Sequence, residues 1–247
     1  MINRGTTFGV SNFRLTIGPD GVVASDTTFT LSLDLTPYWL EIAVTQARHA
    51  IAHHADLLKA FQAEDQAAID KAMEAECKVS MQTFAAAAIA LDAFYARVKK
   101  DMLISDELVA LWRANRTARY KQIAEVFRRA FKVGPRSAVL LRKQIREIFD
   151  WRDRTVHPPS SASQPVLYDE LAVGTEWRFV AFRAFNARLI AGAALSIVAQ
   201  LVARPRSEHA ALVAFCQSAL ANIQPTVDGW EREFGVLYDR NAARDAV

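Results

Sequence analysis

The chain has 247 residues and a formal net charge of +3 at pH 7. Its composition, with 51% hydrophobic and 23% charged residues, is typical of folded proteins and excludes intrinsic disorder. Only nine glycines and eight prolines are present, so residues that end helices and form turns are scarce. The composition therefore predicts a mainly α-helical protein.

The amino-terminal segment, residues 1–36, has the period-two alternation of β-strands. Its alternating apolar residues are Phe13, Leu15, Ile17, Phe29, Leu31, Leu33 and Leu35. A turn is predicted at residues 18–21, where the sequence is Gly-Pro-Asp-Gly. We expect a short antiparallel β-hairpin or meander here, which either covers one end of a helical domain over residues 37–247 or offers an edge to a partner.

The first helix is predicted to begin at Thr36, because Thr is a good N-cap and Pro37 suits the first helical position. Residues 38–133 contain neither Gly nor Pro, and their apolar spacing is helical throughout. Breaks are expected near Glu64 and at Ser105, which resembles an N-cap followed by two acids. This stretch should therefore form several long helices.

Prolines mark the predicted boundaries in the second half of the chain. These are Pro135, Pro158, Pro159, Pro205 and Pro225. We expect a helix over residues 136–153, a loop at the paired prolines and a long apolar helix between about residues 175 and 203. A last pair of helical segments is expected around Pro205 and Pro225, so that all eight prolines fall at boundaries.

Neither a membrane span nor an export signal is expected. The longest apolar run, residues 189–203, is closed by Arg188 and Arg204 and is too short to span a bilayer. Cys77 and Cys216 lie far apart on predicted helices, so we interpret them as reduced core thiols rather than a disulfide or zinc site. These features predict a cytoplasmic protein.

The charge is concentrated in residues 113–154, which contain thirteen Lys or Arg residues and four acids. Guanidinium groups pair well with phosphate, so the natural partner of such a surface is nucleic acid. The candidate RNA-binding residues are Arg128, Arg129, Arg142, Lys143, Arg146 and Arg154. The alternative is that these cations only form the solvated faces of amphipathic helices. Most aromatic residues in this region have helical spacing and should belong to the core.

A candidate site follows from the spacing of arginine and histidine. An Arg stands five positions before a His in three pairs, which are Arg48 and His53, Arg152 and His157, and Arg204 and His209. Pro205 excludes the last pair as a candidate, because the site requires a polar residue after the Arg and proline cannot make the hydrogen bonds of one. The first pair lies inside a continuous helix, where a spacing of five residues rotates one side chain about 140° around the helix axis from the other. These two side chains would therefore point to different faces of the helix. Only His157 precedes a proline, which favours leaving the helix and turning back toward Arg152.

Residues 152–158, Arg-Asp-Arg-Thr-Val-His-Pro, resemble the motif of the HEPN superfamily of helical proteins. In that family an Arg, a polar residue and a His after four to six residues mark a metal-independent endoribonuclease site. The resemblance covers residues 38–160. Within this range, an Ala-rich helical stretch at 85–91 followed by Asp-Ala-Phe-Tyr is similar to the family's second main helix. Asp153 stands where Asn is common in the family.

The resemblance implies an up-and-down helical bundle that pairs as a homodimer, with both motifs facing one cleft. It also implies RNA as the substrate, and a toxin or phage-defence effector that a protein antitoxin would neutralise. In the implied chemistry His157 takes the proton from a ribose 2′-hydroxyl, Arg152 stabilises charge on the phosphate, and Asp153 orients one of them.

No metal or other cofactor is expected, since the sequence lacks Glu-x-x-His, paired Cys and a glycine-rich phosphate loop. His49, His53, His54 and Asp56 form the one cluster that could hold a metal, although such histidines are more often solvated. The alternative to a nuclease is a noncatalytic helical interaction module that binds nucleic acid, a nucleotide or a protein. In that case Arg152 and His157 only hold the end of their helix against neighbouring helices or a second subunit.

Overall fold

The computed structural model describes residues 4–11, 15–19, 21–24, 27–102, 104–157 and 164–238. These residues form six short strands and eight helices. In chain order the elements are β1 (Thr6–Ser11), β2 (Leu15–Gly18), β3 (Gly21–Ala24), β4 (Thr28–Leu33), α1 (Thr36–Gln62), α2 (Gln66–Asp101), α3 (Asp106–Ala114), α4 (Arg119–Ala130), α5 (Pro135–Val156), β5 (Val166–Tyr168), β6 (Val173–Thr175), α6 (Trp177–Ala181), α7 (Ala184–Ala203) and α8 (Ala210–Phe234). The expectation of a mainly α-helical protein that begins with antiparallel strands is confirmed.

The amino-terminal strands form two antiparallel ladders, β1 with β4 and β2 with β3. Phe8 pairs with Leu31 in the first ladder, and Gly18 pairs with Gly21 in the second. Both strands advance by ten residues toward the turn between these pairs, so the two ladders share one register. The predicted turn is therefore flanked by paired strands. The partner of β2 is β3, a strand that the sequence pattern did not indicate. Phe13, which was predicted to lie on a strand, is outside the described residues.

Polar side chains start the long helices. The Asp65 side chain accepts a hydrogen bond from the Ala68 amide at the start of α2, and Ser105 accepts one from Leu108 at the start of α3. Both predicted breaks are confirmed. Helix α1 begins at Thr36, but Leu35 stands at its N-cap, so the assignment of Thr36 as the cap is wrong. Asp34 instead accepts a hydrogen bond from the Thr36 amide at 3.0 Å.

The core is built where α1, α2 and α7 pack against one another as the centre of a helical bundle. Many of the buried residues on these helices are alanines, which allow a close approach of the helix backbones. The contact between α7 and α8 is similarly close, because a Cβ added at Gly192 would lie 2.6 Å from the Trp230 ring. Small residues therefore set the spacing of the bundle.

Three local features differ from the sequence prediction. Helix α8 runs through Pro225, so the prediction that every proline marks a boundary is wrong. Buried residues on both sides of this proline, including Ile223 and Trp230, keep the helix packed. The expected apolar helix after residue 175 is divided at Phe182 into α6 and α7, and the β5–β6 pair before it was not predicted.

Two helices, α2 and α7, are long and apolar enough to cross a membrane by length and composition. This is weak evidence for a membrane protein, because just over half of each apolar window is buried inside the molecule. A core helix of a soluble protein meets the same criteria.

Candidate nucleic-acid interface

Helix α5 carries the predicted motif and has one buried and one exposed face. The buried face contains Leu141, Ile145, Ile148 and Phe149, which recur at the helical spacing that the sequence showed. Each of these four residues is no more than 8% exposed. The remaining positions, which include most of the cations, therefore project from the molecule.

The end of α5 is formed by local hydrogen bonds. The amide of His157 donates to the Asp153 carbonyl at 2.8 Å, and the Thr155 hydroxyl donates to the Arg152 carbonyl at 2.6 Å. His157 has a φ of −126° and a ψ of 64°, so the backbone has left the helix at this residue. Its side chain is exposed to solvent.

Arg152 is held by its neighbours in the last turn of α5. Its Nε and Nη2 atoms donate to the same Asp153 carboxylate oxygen at 2.9 and 2.6 Å. Its guanidinium carbon also lies 4.9 Å from the centre of the Phe149 ring. Within the described part of the chain, no hydrogen bond joins the His157 ring to Arg152 or Asp153. The structure thus brings Arg152 and Asp153 together and leaves His157 free to face solvent.

Two of the predicted RNA-binding residues, Arg128 and Arg129, share one acid on α4. Both guanidinium groups donate to Glu125, at 2.8 and 2.6 Å. The hydrogen bonds from Arg128, supported by Arg129, lower the pKa of Glu125 to about 2. This carboxylate stays ionised at neutral pH and offsets one of the two positive charges.

The other predicted RNA-binding residues lie along α5. Arg146 lies 3.4 Å from the Asp150 carboxylate, and the Arg154 guanidinium lies 4.9 Å from the centre of the Trp151 ring. Arg142 and Lys143 are exposed, and in the described ranges neither forms an ion pair. Among the predicted RNA-binding residues on α5, Arg142 and Lys143 are therefore the best placed to bind a phosphate.

A shallow cleft of about 310 Å³ lies between α4 and α5. Its lining includes Lys121, Arg128 and Arg142, together with Glu125 and the ring of Trp112. Three cations and one acid give the cleft a net positive charge, which favours an anionic ligand. Trp112 is only 8% exposed, as expected for the aromatic residues of this region, so it supports the wall rather than projecting into solvent.

A buried polar cluster that the sequence did not indicate lies elsewhere in the bundle. Glu76 on α2 is only 2% exposed and accepts a hydrogen bond at 2.7 Å from the amide of Ala184, the first residue of α7. His54 Nδ1 lies 3.2 Å from the Glu76 carboxylate and 3.4 Å from the hydroxyl of the fully buried Tyr168. We refer to His54, Glu76 and Tyr168 as the buried triad.

The buried triad joins four elements, α1, α2, β5 and α7. The hydrogen bond to Glu76 raises the pKa of His54 against the opposing effect of burial. Burial raises the pKa of Tyr168, so its hydroxyl stays neutral. The Glu76 carboxylate also lies at the amino end of α7, where negative charge is favourable. These contacts fix the start of α7 and the β5–β6 pair to the body of the bundle.

The alternative metal cluster of His49, His53, His54 and Asp56 does not assemble. Among the described residues no group of three or more His, Cys, Asp or Glu side chains is placed to hold a metal ion. His54 faces Glu76 and Tyr168 instead. The one sequence signal for this contact is that Glu76 lies within a long stretch of helical apolar spacing, where a buried acid must find a partner.

Comparison with known proteins found no relative of this chain. No protein-family model matches the chain, and no curated protein or solved structure is significantly similar to it.

Proposed function

We propose that this protein is an RNA-binding helical protein of the HEPN type, which cleaves RNA without a metal at the carboxyl end of α5. The observation that carries the proposal is the position of His157, an exposed imidazole outside the helix, at the point where a cation-rich helix ends. Arg152 lies five residues earlier, which corresponds to about 7.5 Å along a helix axis at 1.5 Å per residue.

The exposed cations support RNA as the substrate. Arg142 and Lys143 on α5 and Lys121 in the adjacent cleft lie on the same pair of helices as the motif. Each contact with a phosphate releases counterions from the RNA, so binding driven by these residues weakens as salt increases. Among the six predicted RNA-binding residues, Arg142 and Lys143 form no ion pair in the described ranges. Arg128 and Arg129 share Glu125, Arg146 pairs with Asp150, and Arg154 lies against the Trp151 ring.

The chemistry requires a base and a group that stabilises negative charge. His157 would take the proton from a ribose 2′-hydroxyl, whose oxygen attacks the adjacent phosphorus while the bond to the 5′-oxygen breaks. The proton then passes to the 5′-oxygen, and a cyclic phosphate remains. Arg152 would stabilise the phosphate charge during attack, while Asp153 holds its guanidinium in place.

A noncatalytic interaction module is the second candidate. It is favoured by one specific observation, that Arg152 is already engaged by Asp153 and the Phe149 ring. An arginine with these partners also serves to close the end of a helix. In this case the basic face binds nucleic acid, a nucleotide or a protein without cleaving it.

The same proposal includes the biological setting. A homodimer, a role as a toxin or phage-defence effector and a neutralising protein antitoxin follow from the HEPN resemblance, whereas the cytoplasmic location follows from the two reduced cysteines. The effector role and the antitoxin stand or fall with RNA cleavage at His157.

The test is incubation of the purified chain with mixed RNA in EDTA, followed by analysis of the product ends. Cleavage should leave cyclic phosphate ends and should disappear in both His157→Ala and Arg152→Ala. His209→Ala and Arg206→Ala remove an exposed histidine and an exposed arginine outside α5, so they are the matched controls and should retain cleavage. Cleavage that survives either motif substitution rejects the site.

The interaction module predicts a different result in the same samples. RNA is bound but not cut, binding persists in both motif variants, and affinity falls steeply with salt. An absence of both cleavage and salt-dependent binding contradicts both candidates.

A further inference from the structure

The β1–β4 ladder has one apolar and one polar face. Because residues alternate along each strand, the register places one set of side chains together on each side. The apolar face contains Phe8, Val10, Phe29, Leu31 and Leu33, and the polar face contains Thr7, Gly9, Ser11, Thr28, Thr30 and Ser32. The rings of Phe8 and Phe29 lie 5.5 Å apart between their centres, which agrees with a shared face.

The apolar face is open to solvent. Phe8, Val10 and Leu33 are 54%, 51% and 52% exposed, and Phe29 and Leu31 are 64% and 74% exposed. A two-stranded ladder with this exposure is only marginally stable by itself, and contiguous exposed apolar surface of this kind marks an interaction site. The apolar face of the ladder is therefore a candidate site for a partner.

The charge of the segment restricts the partner. Residues 5–11 and 27–33 contain no charged side chain, so neither strand carries the lysines or acids that usually protect an exposed edge. Residues 1–36 as a whole contain two Arg and three Asp residues. A segment with this balance does not attract RNA or an anionic membrane, whereas an equally uncharged apolar surface can cover it without burying a charge.

A second copy of the chain offers such a surface, and its area is sufficient. Aromatic side chains bury ~150–250 Å² when fully covered. If the five apolar residues are completely covered, they bury roughly 600 Å² per copy, or about 1,200 Å² in a symmetric pair, which is the lower limit for stable interfaces. Leu35, 46% exposed, extends the apolar surface toward a groove of about 660 Å³ at the base of the ladder.

We propose that two copies of this chain pair through the apolar faces of their β1–β4 ladders, which stack on each other about a two-fold axis. The same face serves on both copies, as a two-fold interface requires. The two ladders would lie ~10 Å apart, the usual spacing of stacked sheets. This pairing involves none of residues 152–157, so it stands apart from RNA cleavage.

The test compares adjacent residues on opposite faces of β4 in the full-length chain. Sedimentation equilibrium should show a dimer for the wild type and at least tenfold weaker association for Leu31→Asp. Thr30→Asp places the same charge one residue earlier, on the polar face, and should leave the dimer intact. Far-ultraviolet circular dichroism on each variant should show an unchanged helical content.

Phe8→Ser provides a second disruption on the opposite strand and should weaken association in the same direction. His157→Ala should remain dimeric, which separates pairing from catalysis. A monomeric wild type at tens of micromolar overturns the proposal. Equal loss of pairing in Leu31→Asp and Thr30→Asp, or dissociation of His157→Ala, also overturns it, because the contact would then lie elsewhere. Flotation of a monomeric wild type with neutral phosphatidylcholine vesicles would identify a membrane as the occupant instead.

Discussion

The protein contains two histidine sites that pair an acid with a cationic group, and their surroundings give them opposite properties. In the buried triad, Glu76 is almost fully enclosed and has two partners, the Ala184 amide and His54. At the end of α5, Asp153 is exposed and pairs with Arg152, while His157 faces solvent. The first site joins four elements, and the second leaves its imidazole accessible to a ligand.

The difference shows that a short distance between an acid and a histidine does not by itself identify a reactive site. A carboxylate removed from water depends on every hydrogen bond it makes, so its partners act as structural contacts. An exposed pair contributes little to stability, because water solvates both groups and competes with the contact. Function is therefore expected at the end of α5, and stability at the buried triad.

Removing the buried carboxylate should have the largest effect. Glu76→Ala eliminates the hydrogen bond to Ala184 and leaves His54 and the start of α7 without their partner, so we expect a loss of ~3 kcal/mol in the free energy of unfolding. Urea denaturation followed by circular dichroism measures this. Glu74→Ala, which removes an exposed acid two residues earlier in α2, is the control. Equal stability of the two variants would contradict the structural role of the buried triad.

The cations on α5 should affect binding rather than stability. In the double variant Arg142→Ala/Lys143→Ala, the slope of log affinity against log salt for RNA should fall by about 2, one for each lost phosphate contact. The unfolding midpoint should stay near that of the wild type. The double variant Lys59→Ala/Lys78→Ala, which removes two exposed cations outside this face, should keep the original slope. Fluorescence anisotropy over a salt series distinguishes these results.

The pH dependence of stability should reveal His54. Its pKa is raised in the folded chain, so the stabilisation from its charged form is fully present below the unfolded pKa of ~6.5. This contribution is lost as the pH rises through the higher folded pKa. Glu76 and Glu170 favour the charged ring, while Arg183 opposes it. Denaturation at a series of pH values should show this decline in the wild type and a flatter profile in His54→Gln.

The smallest effect is expected for the exposed acid at the end of α5. Asp153→Ala should change the free energy of unfolding by no more than ~0.5 kcal/mol, because exposed ion pairs contribute little. It should nevertheless reduce RNA cleavage, since the Arg152 guanidinium loses the group that orients it. A change in stability as large as that for Glu76→Ala would remove the contrast between the two sites.

Local chemistry explains which parts of the fold could be predicted from the sequence. Asp65 and Ser105 start helices through bonds to amides three residues later, so both breaks could be recognised from short segments. The same holds for the end of α5, where His157 leaves the helix directly before Pro158. Each of these features depends on neighbours in the chain.

Long-range contacts explain what could not be predicted. Glu76 and Ala184 are separated by 108 positions, so neither residue indicates the other in the sequence. The Arg152–Asp153 pair is local, but an arginine can also bond to a carbonyl or to a distant acid, and the sequence does not choose among these partners. The charge excess of residues 113–154 predicts a cationic surface, but it could not show that Glu125 offsets part of this charge.

The proline within α8 has a consequence for how this helix opens. Pro225 lacks an amide hydrogen, so the Ala221 carbonyl has no donor four residues later, and both residues lie on the exposed side where water can occupy that carbonyl. The helix therefore lacks one internal hydrogen bond near its midpoint. We expect amide hydrogen exchange to be faster in residues 226–234 than in 212–220, with the second half of α8 opening as a separate unit while the bundle remains folded.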